Sequence, residues 1–230
     1  MVNNMIDIML KNRSSVLNCN WKSRIERSQF VQKFIISNNI ESVLNLGSGG
    51  KRELQLPKEI KLVDVDFQGD VDIELNLDAV ERLPFGDNAF DLLCAMDVLE
   101  HLEAFHLIVE EILRCSKKTV IIYLPNSAAE IPGIVLNKSK FKKKSHQGYF
   151  SKYYGLPLNK ELDRHRYWLY IQDIIRYFEV IRHMHNLKVE YVLPKFSLKL
   201  RLLRLLIGSR LFYTFFLNHI CIIISHNLER

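Results

Sequence analysis

Between Glu41 and Lys51 the sequence runs ESVLNLGSGGK, an apolar stretch that stops at three glycines within four positions. Val43, Leu44 and Leu46 supply a short buried strand, and Gly47, Gly49 and Gly50 end it in a turn. Glycines just past a strand let the backbone bend sharply and approach a ligand closely, because no Cβ stands in the way. The stretch reads as the floor of a nucleotide-type pocket, with a plain glycine turn as the alternative.

The rest of the chain supplies walls for such a floor. Residues 1–20 are polar and Asn-rich with no clear period, and read as an N-terminal arm or loose helix. Trp21–Asn38 has Ile25, Phe30, Phe34 and Ile35 near helical spacing. Strands are expected at Ile60–Val65, Phe90–Met96 and Thr119–Leu124, the last apolar throughout as in a strand buried on both faces. Glu100–Cys115 places Leu102, Phe105, Ile108, Val109 and Ile112 on one helical face. Strands alternating with helices argue for a parallel sheet with the ligand at the carboxyl ends of the strands.

Beyond Pro125 the pattern loosens. Residues 126–160 carry Pro132, the run Lys138–Lys144, Gly148, Gly155 and Pro157, and read as a long basic lid or loop. Order returns at Asp163–His165, a helix near Ile171–Ile181, and strands at Leu187–Leu193 and Ile220–Ser225. Between those strands, 195–217 reads as a helical insertion that Gly208-Ser209 can split in two. Arg204, Arg210, Asn218 and His219 interrupt it, so no uncharged run there is long enough to span a bilayer. Peripheral membrane contact through 195–217, a cover over the core, and a dimer contact all fit it.

Charge divides the 230 residues sharply. Residues 1–136 hold 14 Lys/Arg against 20 Asp/Glu, a net −6, whereas 137–230 hold 18 against 6, a net +12. The basic half is suited to an anionic partner such as phosphate, a membrane surface or nucleic acid. Aromatic residues do not interleave with the basic run as stacking platforms would, which argues against nucleic acid. Cys19, Cys94, Cys115 and Cys221 show no CxxC pairing, so neither a zinc site nor a disulfide framework is expected, and a reducing cytoplasm is the default. No metal site is expected from this pattern. The first residues, MVNNMIDIMLKNR, lack the unbroken apolar stretch of a signal peptide.

A ligand on the glycine turn needs a carboxylate to accept hydrogen bonds from a ribose diol. Asp66 stands 19 residues after Gly47, near the separation of about 20 expected when one helix intervenes. Asp64 points the same way but deeper. Arg52 stands where a dinucleotide fingerprint needs a small residue, and no Gly-Lys-Ser/Thr follows for a phosphate-binding loop. A nucleoside without a pyrophosphate fits better.

VLNLGSGG, then VDVD, then LDAVERLPFGDNAFDLLCAMDVLEHL resembles the class I S-adenosylmethionine-dependent methyltransferases. The likeness is to the branch with LPF-x-DN-x-FD and LEHL segments, and it covers Trp21 to about Pro125. It implies a Rossmann-like α/β fold: a seven-stranded, mostly parallel sheet, helices on both faces, and the last strand antiparallel. It implies S-adenosyl-L-methionine as cofactor, with Gly47, Ser48 and Gly49 near its methionine part and Asp66 on the ribose. Asp78 with the Ala79 backbone would meet the adenine, and Met96 and Asp97 would line the pocket beside the sulfonium. Asn45 replaces the family's usual Asp or Glu, keeping an acceptor for the cofactor's ammonium but losing its charge. Lys51 stands where a further glycine is often found.

Transfer to a hydroxyl would need a base, for which His101 in LEHL and His165 in Asp163-Arg164-His165-Arg166-Tyr167 are the candidates. Structural hydrogen bonding or helix capping would account for either histidine equally well. The function expected is methyl transfer to an anionic or lipid-linked sugar acceptor, at the cytoplasmic face of a membrane. The alternative from another class is a cofactor-binding or scaffolding homologue without turnover.

Overall fold

The structure is a computed structural model, and it describes residues 5–13, 23–135 and 165–227. Seven strands form one sheet: β1 (Ser42–Leu46), β2 (Lys61–Asp66), β3 (Ile73–Glu74), β4 (Phe90–Met96), β5 (Ser116–Pro125), β6 (Leu187–Val192) and β7 (His219–His226). Their order is β3-β2-β1-β4-β5-β7-β6. The first five strands pair in parallel, and β7 runs antiparallel to both β5 and β6. The Rossmann-like α/β fold, with its antiparallel last strand, is thus present. The short β3, inside the acidic segment Asp70–Asp78, carries no apolar run that would have marked it.

Side-chain alternation along β4 shows why both faces need cover. Leu92, Cys94 and Met96 pack on one face with Phe30, Val31, Phe34 and Ile35 of α2 (Arg24–Ser37). Leu93 and Ala95 pack on the other with α3 (Phe105–Cys115), α5 (Ile171–Met184) and α1 (Met5–Lys11). All seven residues of β4 are buried, as a central strand of a covered parallel sheet requires.

Local chemistry sets the helix ends. Ser23 Oγ accepts the Glu26 N–H at 3.3 Å and the Glu26 carboxylate accepts the Ser23 N–H at 3.0 Å, a reciprocal cap that starts α2. The helix expected over Glu100–Cys115 begins only at Phe105. Leu102 adopts an extended backbone and buries its side chain, which leaves Leu99–His101 as a separate 3₁₀ turn. Glu100 and His101 therefore project from a tight turn after β4 instead of a helix face.

Within the stretch read as an arm or loose helix, Met5–Lys11 forms α1. Ile6 and Met9 of α1 are fully buried, and Tyr191 N–H donates to the Asn12 carbonyl at 3.0 Å along the outer strand β6. Partial cover of an edge strand in this way removes pairing groups from solvent. Of the stretch read as a basic lid, 126–135 is built into the fold as a 3₁₀ turn, Ser127–Glu130, and the short α4 (Ile131–Val135). Residues 136–160, with the run Lys138–Lys144, lie outside the described residues.

The insertion between β6 and β7 is α6 (Leu198–Phe216), broken at Gly208, whose φ of 78° and ψ of 156° are not helical. Its end is held from the sheet: Asn126 Nδ2, at the carboxyl end of β5, donates to the carbonyls of Thr214 and Leu217 at 2.9 and 2.8 Å. These carbonyls would otherwise be orphaned at a helix end.

The LPFGDN segment is also structural. Arg114 of α3 donates to Glu111 (2.6 Å), to Asp87 (2.6 Å) and to the carbonyl of Phe85 (2.9 Å), while Glu111 accepts the Leu83 N–H at 2.7 Å. The bond from Arg114 holds the Glu111 carboxyl below its ordinary range, against the opposing effect of burial. Phe85 meets Phe90 edge to face at 5.2 Å. Replacing Arg114 with Ala leaves the buried Glu111 without this cation, so a loss of about 2 kcal/mol is expected in urea unfolding. Equal midpoints for the two proteins would contradict the clamp.

Candidate functional site

Strand order reverses between β1 and β4, so the loops leaving those two strands diverge and open a crevice at the carboxyl edge. The glycine turn after β1 lines one side. Gly47, Gly49 and Gly50 have φ of 70°, 75° and 64°, the left-handed region that side chains with a Cβ resist. A Cβ on Gly47 would overlap Val98, and one on Gly49 would overlap the guanidinium of Arg24.

Asp66, at the end of β2, is tied to this turn. One carboxylate oxygen accepts the Gly49 N–H at 2.7 Å and the other accepts the Phe67 N–H at 2.7 Å. Each oxygen has a second lone pair to offer. Turn and carboxylate are one preassembled unit.

Asn45 lies beneath the turn and not in it. Its amide donates to Asp64 Oδ1 at 2.7 Å, its oxygen accepts from Cys94 Sγ at 3.2 Å, and the residue is 1% exposed. Contact with a ligand would require these bonds to be exchanged. Burial raises the Asp64 carboxyl above its ordinary value, an effect that the Asn45 bond partly opposes. Burial likewise pushes the Cys94 thiol well up, so it stays protonated and serves as a donor.

Ser48 is buried in the turn, and Met96 is buried at the end of β4. Asp97 follows with a φ of 53°, uncommon for a residue with a side chain, and this turns its carboxylate toward α2. There it forms an ion pair with Arg27, while His219 Nε2 stands 3.8 Å from its other oxygen. Asp78 and Ala79 are exposed: Asp78 accepts the Ala104 N–H at 3.1 Å, and the Ala79 N–H donates to Asn76 O at 3.0 Å within its own turn.

Sequence reasoning passed over Arg24 and Arg27, which reach the site from the first turns of α2. Arg24 lies across Gly49, pairs with Glu53 at 2.6 Å and approaches the Gly47 carbonyl at 3.5 Å. Their spacing of three, just after a capping box, was the available signal. It also passed over Glu100. The structure brings His101 and His165 together, with ring centroids 4.6 Å apart, and Glu100 beside them.

Comparison with known proteins places this geometry in a class. Residues 55–124 match the family model described as a methyltransferase domain. The fold is that of the methyltransferase domain of bacterial CtHen1, at 14% identity over 87% of this chain and 97% of that chain, with a TM-score of 0.57. The small RNA methyltransferase HEN1 gives a TM-score of 0.59 at 14% identity; 94% of this chain matches 27% of that one. The plantazolicin methyltransferase BpumL, solved with SAH, gives 0.53 at 11% identity over 88% of this chain and 83% of that chain. No curated protein sequence matches the chain. The fold is therefore that of the class I methyltransferases, and residues 55–124 match the methyltransferase-domain model.

Replacing Gly47 with Ala forces a Cβ into Val98 and an unfavourable φ. A loss of about 2 kcal/mol in thermal or urea unfolding is expected. An unchanged melting temperature would show that the turn has room to relax.

Proposed function

We propose that this chain is an S-adenosylmethionine-dependent methyltransferase acting on an anionic or lipid-linked sugar acceptor. The observation that carries the cofactor reading is the Asp66 carboxylate locked to Gly49 at the switch point of the sheet. A diol binds to such a carboxylate through the lone pairs that the backbone N–H groups leave over.

S-adenosylmethionine, when bound, supplies an electrophilic methyl group on a sulfonium. Gly47, Ser48 and Gly49 would present backbone to its amino-acid end, and Arg24 would offer that end's carboxylate a cation. Asp66 would hold the ribose hydroxyls. Asp78 and Ala79 would lie along the adenine, and Met96 and Asp97 beside the sulfonium. Methyl transfer is an in-line displacement, so orientation by these groups would supply much of the rate. His101 and His165 stand with their rings 4.6 Å apart, and either would serve as the base that takes a proton from a hydroxyl acceptor.

Titration calorimetry with S-adenosylmethionine and with S-adenosylhomocysteine tests this directly. Both are expected to bind one per chain, with affinity falling at least about tenfold in Asp66→Ala. Absence of binding by folded protein would refute the enzyme and leave the scaffolding alternative. Undiminished binding by Asp66→Ala would refute the site.

The acceptor reading rests on α6. Leu198, Leu202, Leu205, Leu206 and Leu211 are exposed, Leu206 at 83%, among Lys199, Arg201 and Arg210. From Tyr191 to Asn227 the sequence has no acidic residue. Among the described residues no helix is long and apolar enough to cross a membrane. Exposed leucines flanked by cations suit shallow contact with an anionic bilayer, where a lipid-linked acceptor would be met at the cytoplasmic face. Sedimentation with phosphatidylglycerol vesicles is expected to carry the protein down at low salt, and Leu205→Glu with Leu206→Glu to abolish it. Equal sedimentation of the double variant would refute the contact.

A further inference from the structure

Two histidines far apart in the chain are held against one buried carboxylate. Glu100, His101 and His165 each offer one ligand atom, and the three atoms lie within 4.8 Å of one another. Glu100 Oε1 and His101 Nε2 are 3.9 Å apart. Ligands sharing one ion at about 2.0–2.2 Å lie no more than about 4.4 Å from each other. Small side-chain rotations are thus enough to close the set.

The backbone already fixes these positions. Arg166 N–H donates to the Glu100 carbonyl at 2.8 Å, and Tyr167 Oη donates to the Glu103 carbonyl at 3.0 Å. Farther along, the Ser127 N–H donates to Leu169 O at 2.8 Å and the Leu169 N–H donates to Ser127 Oγ at 3.0 Å. His165 is therefore pinned to the 3₁₀ turn across 64 residues of sequence. Glu100 is 1% exposed, so its carboxylate sits in a poorly hydrated setting where an ion is bound more strongly than in water.

We propose that Glu100, His101 and His165 bind a divalent transition-metal ion at the turn that follows β4. Two imidazoles and one carboxylate select zinc, manganese or iron(II) over magnesium and calcium, which prefer oxygen throughout. Three protein ligands leave coordination positions open, as catalytic sites do and structural sites do not. The donors begin three residues after Asp97, beyond the carboxyl edge of β4. An open position there takes an oxygen of the acceptor, and a bound ion acidifies such a hydroxyl. The two histidines then act as ligands, and neither is needed as a base. This part deepens the methyltransferase reading; metal binding itself does not depend on it.

The test uses the full chain, with Zn²⁺ and Mn²⁺ in separate titrations and Co²⁺ as a spectroscopic probe. One equivalent is expected, with cobalt absorption bands of nitrogen and oxygen ligation. Affinity is expected to fall at least tenfold in His165→Ala and in Glu100→Gln, with far-ultraviolet circular dichroism unchanged. Should Glu100→Gln fail to fold, His165, which is less deeply buried than Glu100, still supplies the comparison. Folded wild-type protein that binds none of the three ions stoichiometrically overturns the site, as does binding undiminished in His165→Ala. S-adenosylhomocysteine titrated in parallel separates the two claims: its binding without metal binding overturns the metal site alone, and metal binding without it overturns the methyltransferase reading alone.

Discussion

Everything at the carboxyl edge depends on the bond between the Asp66 carboxylate and the Gly49 N–H. β1 and β2 are parallel neighbours, so their ends emerge side by side, and the loops that leave them would otherwise be free to separate. One carboxylate spanning Gly49 and Phe67 fixes both departures at once. The left-handed glycines make the turn narrow enough to reach that carboxylate, and Val98 and Arg24 fill the space that missing Cβ atoms leave. A turn held this way is fixed in advance, which would lower the ordering cost of binding a ligand there.

The second constraint is the double cover of the sheet. Leu92–Met96 of β4 and Val120–Pro125 of β5 are buried on both faces, and that follows from their apolar runs. The charge that does enter the interior is managed in pairs or networks: Asn45 with Asp64, Arg27 with Asp97, and Arg114 with Glu111. The first two tie separate elements together, and the third, both of whose members lie on α3, clamps Leu83, Phe85 and Asp87 to that helix, so the polar interior specifies register and loop path where apolar packing alone would be permissive. The LPFGDN segment illustrates the point. Part of what makes it recognisable in sequence is the clamp that Arg114 places on Leu83, Phe85 and Asp87.

Fold and site were not equally legible. Strands showed through period and apolar runs, and the glycine turn through composition, because both signals are local. The spacing from Gly47 to Asp66 pointed to the right carboxylate although its premise fails: residues 47–60 join β1 to β2 without the helix expected to intervene. Arg24, Arg27 and Glu100 were missed because their meaning is tertiary. An arginine on a helix surface and one aimed at a carboxylate read alike in sequence. The helix expected over Glu100–Cys115 hid the 3₁₀ turn for a related reason: apolar spacing continues through Leu102 although the backbone does not. Asn45 was read by its place in a motif, whereas the structure spends its amide on Asp64 and Cys94.

The side chain of Asn126 has a mechanical consequence. It grips the last carbonyls of α6 from the end of β5, and two residues after Leu217 the chain re-enters the sheet at His219, within 3.8 Å of Asp97. The leucine-studded helix and the crevice floor are therefore not independent parts. A lateral load on α6 is delivered through Asn126 and His219 to the loop after β4, and the kink at Gly208 is the only described break in that lever.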